Sequence, residues 1–214
     1  MFEVVRILQD TKPKWFIIEN VASMQQAHRD EITELLGVQP VMINSAVVSA
    51  QNRKRLYWTN LNIQNWEDRC AKFCNRTVRD ILMPCPDVTD LSVEHHQSPV
   101  HFFARYARLG RGRLVCSTSY GYKLTASSDI KSLTLLKTSG HFWLYDRRFD
   151  STTFFPVLGC NGLLRKFHPV ELERLQEFKD GWTEGHSYAS RVRLLGNAVT
   201  CSVVALIVSY IPDA

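Results

Sequence analysis

Two rhythms of apolar and polar positions run along the chain. Phe2, Val4, Val5, Ile7 and Leu8 recur at helical spacing and predict a helix over 2–10, stopped by Lys12-Pro13. Trp15, Phe16, Ile17 and Ile18 form an apolar run that continues to Val21 and predicts a buried strand over 15–21. HRDEITELL, residues 28–36, is helical again, with Gly37 as its C-cap. PVMINSAVV (40–48) and LYWTNL (56–61) read as strands. Helix, strand, helix, strand with apolar strands is an α/β rhythm. From 62 to 160 the segments are short, polar and rich in Ser, Thr, Arg and aromatics, which predicts an irregular, partly β region. Helical texture returns at HPVELERLQEF (168–178), where His168-Pro169 suits a helix start. AVTCSVVALIVSYI (198–211) is apolar on nearly all sides and predicts a buried helix.

Composition narrows the class. Hydrophobic residues make up 45% of the 214, enough for a packed core, and the net charge of +5 is compatible with nucleic acid. No run of 18 consecutive apolar residues exists, so no membrane span is expected. Glu3 and Arg6 inside the first helical pattern do not suit a signal peptide. The six cysteines are irregularly spaced in a chain of ordinary size, which predicts free thiols in a reducing compartment. Cys70, Cys74, His95 and His96 lack the spacing of a zinc site, and no metal is expected.

Four stretches carry candidate chemistry. A carboxylate at the end of an apolar strand, Glu19, costs free energy to desolvate unless it has a partner. In doubly wound sheets ligands sit outside the carboxyl ends of strands, where such a group could hydrogen-bond a ring nitrogen or pass it a proton. Helix capping or a surface ion pair is the ordinary alternative. In SAQNRKRLYWTN (49–60), Gln51, Arg53 and Arg55 alternate and project to one side of an extended segment. That arrangement suits an anion or a base edge, although a solvated approach to a strand would look the same. Gly196-Asn197 before an apolar segment allows close backbone approach and a side-chain bond at a helix start. HFFARYARLGRGRL (101–114) carries Arg105, Arg108, Arg111 and Arg113 without an acid, interleaved with aromatics, and suits phosphate contact.

In order, FIIENV, SAQNRKRLYWTN, LLRKFHPVELERLQEF and LLGNAV resemble the later motifs of the DNA (cytosine-5) methyltransferase family. The resemblance covers about 1–61 and 163–211. It implies the C-terminal part of a Rossmann-like α/β fold that uses S-adenosylmethionine. A partial catalytic domain would span 1–61, an inserted, mostly β or irregular target-recognition region 62–162, and helices returning to the catalytic domain 163–214. It implies that Glu19 contacts a flipped cytosine at N3 and assists attack at C6, with Asn20 and Val21 completing that motif. Arg53 and Arg55, with Gln51, match a QxRxR motif whose second arginine holds the ring. Arg165 would lie where the catalytic domain meets the recognition region. Asn197 and Ala198 would close the cofactor pocket. The implied substrate is double-stranded DNA, in an intracellular setting such as restriction–modification, cytoplasmic in a bacterium or phage and nuclear in a eukaryote.

The resemblance also breaks. No glycine-rich cofactor motif precedes Glu19, and the single G-x-G, Gly110-Arg111-Gly112, lies far downstream. No Pro-Cys-Gln motif, whose thiolate would attack C6, is present; Pro84-Cys85-Pro86 lacks the Gln and falls after the QxRxR cluster. The expectation is a chain that works with a complementing N-terminal half, as a split subunit or as a piece of a longer frame. A catalytically silent DNA-binding or regulatory homologue and an RNA cytosine-5 methyltransferase are the rival readings. The retention of Glu19, Arg53, Arg55 and Asn197 together argues against the silent one.

Overall fold

The computed structural model describes residues 2–63, 65–70, 76–83, 113–118, 121–126, 131–132, 134–136, 142–146, 154–155, 160–161 and 163–212. Helix α1 spans Phe2–Thr11 and ends as foreseen, with Lys12 at φ 42 and Pro13 beyond it. Strand β1 (Ile17–Val21), helix α2 (Gln26–Leu36) and strand β2 (Val41–Asn44) follow. Gly37 closes α2 at φ 67, where a residue without Cβ is unstrained, and its N–H bonds Thr33 O at 2.9 Å. The segment read as one strand over 40–48 is strand only to Asn44. Ser45–Val47 is a 3₁₀ turn capped by the Asn44 side chain, which accepts from Ala46 N at 3.2 Å.

Strand β3 (Lys54–Thr59) lies between β1 and β2, antiparallel to both. Its central place explains its burial. Leu56, Tyr57 and Trp58 are all buried, whereas β1, expected to be buried, is only half-buried because β3 is its one partner among the described residues. Alternation gives the sheet two apolar faces. Leu56 and Trp58 pack with Ile32 of α2 and with Ile18, Leu36 and Val38, and Trp58 Nε1 donates to Thr33 Oγ1 at 3.0 Å. Ile43 and Tyr57 on the other face pack against Val203, Leu206 and Ile207. Truncating the fully buried Trp58 to Ala would cost about 3–5 kcal/mol.

Two short helices, α3 (Trp66–Cys70) and α4 (Val78–Ile81), lie against these cores. Cys70 and Cys201 are free thiols; Cys74, Cys85, His95 and His96 lie outside the described residues. Three strands from the stretch 62–160 and one just beyond it form a four-stranded antiparallel sheet. Its strands are β4 (Arg113–Thr118), β5 (Gly121–Ala126), β6 (Phe142–Asp146) and β9 (Leu163–Lys166), in the order β5-β4-β6-β9. A separate ribbon pairs β7 (Phe154–Phe155) with β8 (Cys160–Asn161).

Three helices complete the chain: α5 (Pro169–Leu175), α6 (Tyr188–Asn197) and α7 (Cys201–Val208). At α5 the His168 ring accepts from Val170 N, and Glu171 bonds back to His168 N at 2.8 Å, with Pro169 in the first turn. The helix stops at Leu175, short of the expected 178, because Glu177 adopts φ 63. The helix expected over 198–211 begins only at Cys201, and it buries one face, leaving Val208 43% exposed. Tyr188–Val208 is long and apolar enough to cross a membrane by length and composition, with a mean hydropathy of 1.6. Here the stretch is interrupted between Asn197 and Cys201, and Val192, Leu195, Val203, Leu206 and Ile207 are core residues. A core of Ala50, Val78, Ile81, Leu135, Phe167, Leu172, Leu175, Val192 and Leu195 joins α4, α5 and α6.

Candidate functional site

The register of β1 and β3 sets Glu19 opposite Tyr57 and Val21 opposite Arg55. Side chains two apart on a strand share a face, so Glu19, Tyr57 and Arg55 lie together. Arg55 Nε is 2.7 Å from Glu19 Oε1. The carboxylate at the end of the apolar run thus has its counter-charge. The pair is largely but not wholly withdrawn from solvent, with Arg55 10% and Glu19 23% exposed in their side chains. It sits where β1 and β2 end and β3 begins, the edge foreseen for a ligand. Arg55 Nη1 donates to Lys54 O at 2.9 Å, while Nη2 makes no hydrogen bond among the described residues. Burial, reinforced by Glu19, pushes the Tyr57 hydroxyl above its ordinary pKa against the opposing pull of Arg55 and Arg53, so it keeps its proton at neutral pH. Asn20 pairs with Leu56 on the opposite face, and its Oδ1 accepts from Val21 N at 2.8 Å; Val21 is exposed at the strand end.

Gln51 and Arg53 precede the strand and are held differently from Arg55. Sequence alternation puts all three in one pocket; the structure sets only Arg55 against Glu19. Gln51 is fully buried, donates from Nε2 to Leu175 O at 3.3 Å and accepts at Oε1 from Leu135 N at 3.0 Å. Arg53 is buried, and its guanidinium reaches Leu135 O, Gly196 O and Ala198 O. The reason is packing: Ser49, Ala50, Gln51 and Arg53 are buried, and buried polar side chains must find partners.

Gly196 and Asn197 do not start the last helix. They end α6, and Ala198 is its C-cap, with its N–H on Leu194 O at 3.0 Å. The expectation of a helix-start cap fails because α6 itself, ten residues with a Ser187 N-cap, was not legible in the polar stretch before it. Asn197 is exposed, and its side chain makes no hydrogen bond among the described residues. Buried polar groups brace this corner. Gln176 Nε2 donates to Leu195 O at 2.7 Å, and its Oε1 accepts from Thr200 Oγ1 at 2.9 Å. Glu173 accepts from Gly181 N at 2.7 Å, Thr183 N at 2.8 Å and Arg191 Nη2 at 2.7 Å, and also from Thr183 Oγ1.

Sequence reasoning gave Leu135, Glu173, Gln176 and Arg191 no part in the site, and only a buried-helix pattern around LERLQEF hinted at two of them. Arg105, Arg108 and Arg111 lie outside the described residues. The backbones of Arg113 and Arg165 belong to β4 and β9 of the second sheet. Among the described residues no group of three or more His, Cys, Asp or Glu could hold a metal ion.

Comparison with known proteins gives the site a context. The family model described as C-5 cytosine-specific DNA methylase matches residues 1–212. Type II methyltransferase M.HhaI of Haemophilus parahaemolyticus is 26% identical over 228 residues, which take in 96% of this chain and 65% of that protein. The chain therefore spans less than two thirds of that relative's length. Among solved structures, the Dnmt2 methyltransferase of S. pombe superimposes with a TM-score of 0.65 at 16% identity, over 97% of this chain and 70% of that one. The methyltransferase EhMeth of Entamoeba histolytica gives 0.61 at 17% identity, over 97% and 67%. These likenesses bear out the α/β methyltransferase fold that the four motifs resemble. The chain belongs to the C-5 cytosine-specific DNA methylase family.

Proposed function

We propose that this chain forms the base pocket of an enzyme that transfers a methyl group from S-adenosylmethionine to C5 of a cytosine flipped out of duplex DNA. The observation that carries the reading is the Glu19–Arg55 pair, 2.7 Å apart at the edge where strands end. A base must leave the stack before its ring can react, and its polar edge is then read by fixed side chains. Glu19 meets the N3 edge of the ring. Arg55 holds Glu19 in place through Nε and has Nη2 left for the ring. The Tyr57 hydroxyl, kept protonated by burial, adds no charge behind them.

Bound S-adenosylmethionine supplies the methyl group. Asn197, exposed with an amide that bonds nothing among the described residues, and the adjacent Ala198 backbone suit one wall of its pocket. The glycine-rich loop and the Pro-Cys-Gln thiolate are not among these 214 residues. They come from elsewhere, either a preceding segment of the same polypeptide or a complementing subunit, and the protein acts inside the cell, on DNA. The arginine-rich stretch Arg105, Arg108, Arg111 and Arg113, with Arg165, contacts the DNA. Segment 62–162 serves target recognition between catalytic segments 1–61 and 163–214.

The test uses pure chain with labelled S-adenosylmethionine and, in parallel, duplex DNA and transfer RNA. Binding to duplex DNA without methyl transfer is expected. Turnover by the chain alone would remove the need for an outside nucleophile. Preference for transfer RNA would replace the DNA reading by an RNA one.

A further inference from the structure

Arg53 stands two residues before Arg55 and is 3% exposed. Its Nη1 donates to Leu135 O at 2.7 Å; its Nη2 donates to Gly196 O at 3.1 Å and Ala198 O at 2.8 Å. These carbonyls belong to segments 82 to 145 residues away in sequence. Burial first, then the charge of Arg55, lowers the Arg53 pKa to about 10, which still leaves it cationic at neutral pH. A buried cation on carbonyls alone is expensive unless it is richly bonded. Even so, Arg53 Nε has no partner among the described residues.

The segment holding Leu135 is itself laid along the approach to β3. Ser132 N donates to Ala50 O at 2.7 Å, Asn52 N to Ser132 O at 2.8 Å and Thr134 Oγ1 to Asn52 O at 2.5 Å. Gln51 and Ser132 pair as a parallel bridge, and Lys131 Nζ donates to Ser49 O at 2.8 Å. Residues 131–132 and 134–136 thus form a strap that belongs, in sequence, to segment 62–162. On the other side of the guanidinium lies the α6 corner with Asn197 and Ala198.

We propose that Arg53 is a positioning residue that couples three parts of the molecule: the strand bearing Arg55, the strap around Leu135 and the Gly196–Ala198 corner. This rests on the reading of Glu19–Arg55 as the base pocket and of the corner as a cofactor wall. A planar guanidinium directs its two amino groups to the strap and the corner at once, with the geometry of one fixed by that of the other. Displacing the strap then moves the corner, and by linkage a ligand at either side changes affinity at the other. A lysine ammonium keeps the charge without the fork, so it fixes neither side in the geometry set by the other.

Amide hydrogen exchange on the full chain tests this without any ligand. The reporters are Ser132 and Leu135 for the strap, whose N–H groups bond Ala50 O and Gln51 Oε1, and Ala198 and Cys201 for the corner, bonded to Leu194 O and Gln176 O. In Arg53→Lys, exchange at both sets rises together by at least tenfold; in Arg193→Ala, on the exposed face of α6, both stay as in the parent. Loosening of one set without the other, or of neither, overturns the proposal. Should Arg53→Ala fold, added methylguanidinium restores protection at both sets, and restoration at one only also overturns it. A second arm adds duplex DNA. Protection of the corner in the parent and its loss in Arg53→Lys is expected. Absence of any DNA protection in the parent counts against the base-pocket reading, while the ligand-free result still decides the coupling.

Discussion

Arg55 stands diagonally across two strands from Glu19, its Nε 2.7 Å from Oε1, while the residue directly opposite Glu19 is Tyr57. The diagonal leaves the arginine near the start of the central strand β3, at the proposed base pocket. Arg55→Ala should therefore barely alter the salt dependence of DNA binding but reduce formation of the productive complex. Titration of one duplex at several salt concentrations, followed by trapping of the flipped base, checks this. A slope that falls by about 0.9, the value of one neutralised phosphate on B-form DNA, would make Arg55 a backbone-binding residue.

The arginine-rich stretch should behave in the opposite way. Replacing Arg105, Arg108, Arg111 and Arg113 together by Ala weakens DNA binding and flattens its salt dependence, by about 0.9 in slope for each phosphate no longer neutralised. The same titration reads the change. A parental slope in the four-fold variant would take the DNA-contacting surface away from this stretch.

Glu173 and Glu177, four residues apart in sequence, answer pH with opposite signs. Burial works to raise the Glu173 pKa, but bonds from Thr183, Arg191 and Gly181 outweigh it and leave the value below 4.5. A depressed folded value gives stability that is present above 4.5 and lost as pH falls through the folded value. Glu173→Ala, which strands Arg191, should cost about 3–5 kcal/mol at neutral pH in chemical denaturation. Its deficit should shrink below pH 4.5.

For Glu177 burial is the largest influence and raises the pKa, opposed by Arg76, Ser202 and Lys131. A raised carboxyl pKa means that the folded state favours the protonated form. Its contribution is therefore lost as pH rises from 4.5 through the folded value. In addition, Glu177 holds φ 63, a conformation that costs a non-glycine residue about 1 kcal/mol or more. Glu177→Gly relieves both and gives up the ion pair with Arg76 at 3.2 Å, half-exposed on the arginine side. Thermal melts at pH 4 and pH 7 should show the variant gaining more, relative to the parent, at pH 7.

Much of this was legible in sequence because it is local. The period of Val4, Val5, Ile7 and Leu8 gave α1, Gly37 gave the end of α2, and His168-Pro169 gave the start of α5. Glu19 was legible as a charge beside an apolar strand that demands a partner; that Arg55 is this partner was not, and the pairing comes from the register of β1 and β3. What escaped depends on distant chain segments. Nothing near Arg53 in sequence indicates that Leu135, Gly196 and Ala198 will surround it. Helix α6 escaped because Ser187–Arg193 is polar on most sides and is fixed by Val192, Leu195 and the Arg191–Glu173 pair. The alternation of Gln51, Arg53 and Arg55 misled for a related reason, since Gln51 and Arg53 precede β3 and are buried, with only Asn52 between them exposed.

The measurement that tests the central claim most directly is product analysis by nucleoside mass spectrometry. Duplex DNA and transfer RNA are each incubated with S-adenosylmethionine and this chain together with the polypeptide that carries the Pro-Cys-Gln nucleophile, using the parent and Glu19→Gln. The account predicts 5-methylcytosine in the DNA, with turnover reduced about a hundred- to ten-thousand-fold in Glu19→Gln while DNA affinity is kept. Methylation at another atom, methylation of the RNA alone, or parental turnover in Glu19→Gln would contradict it.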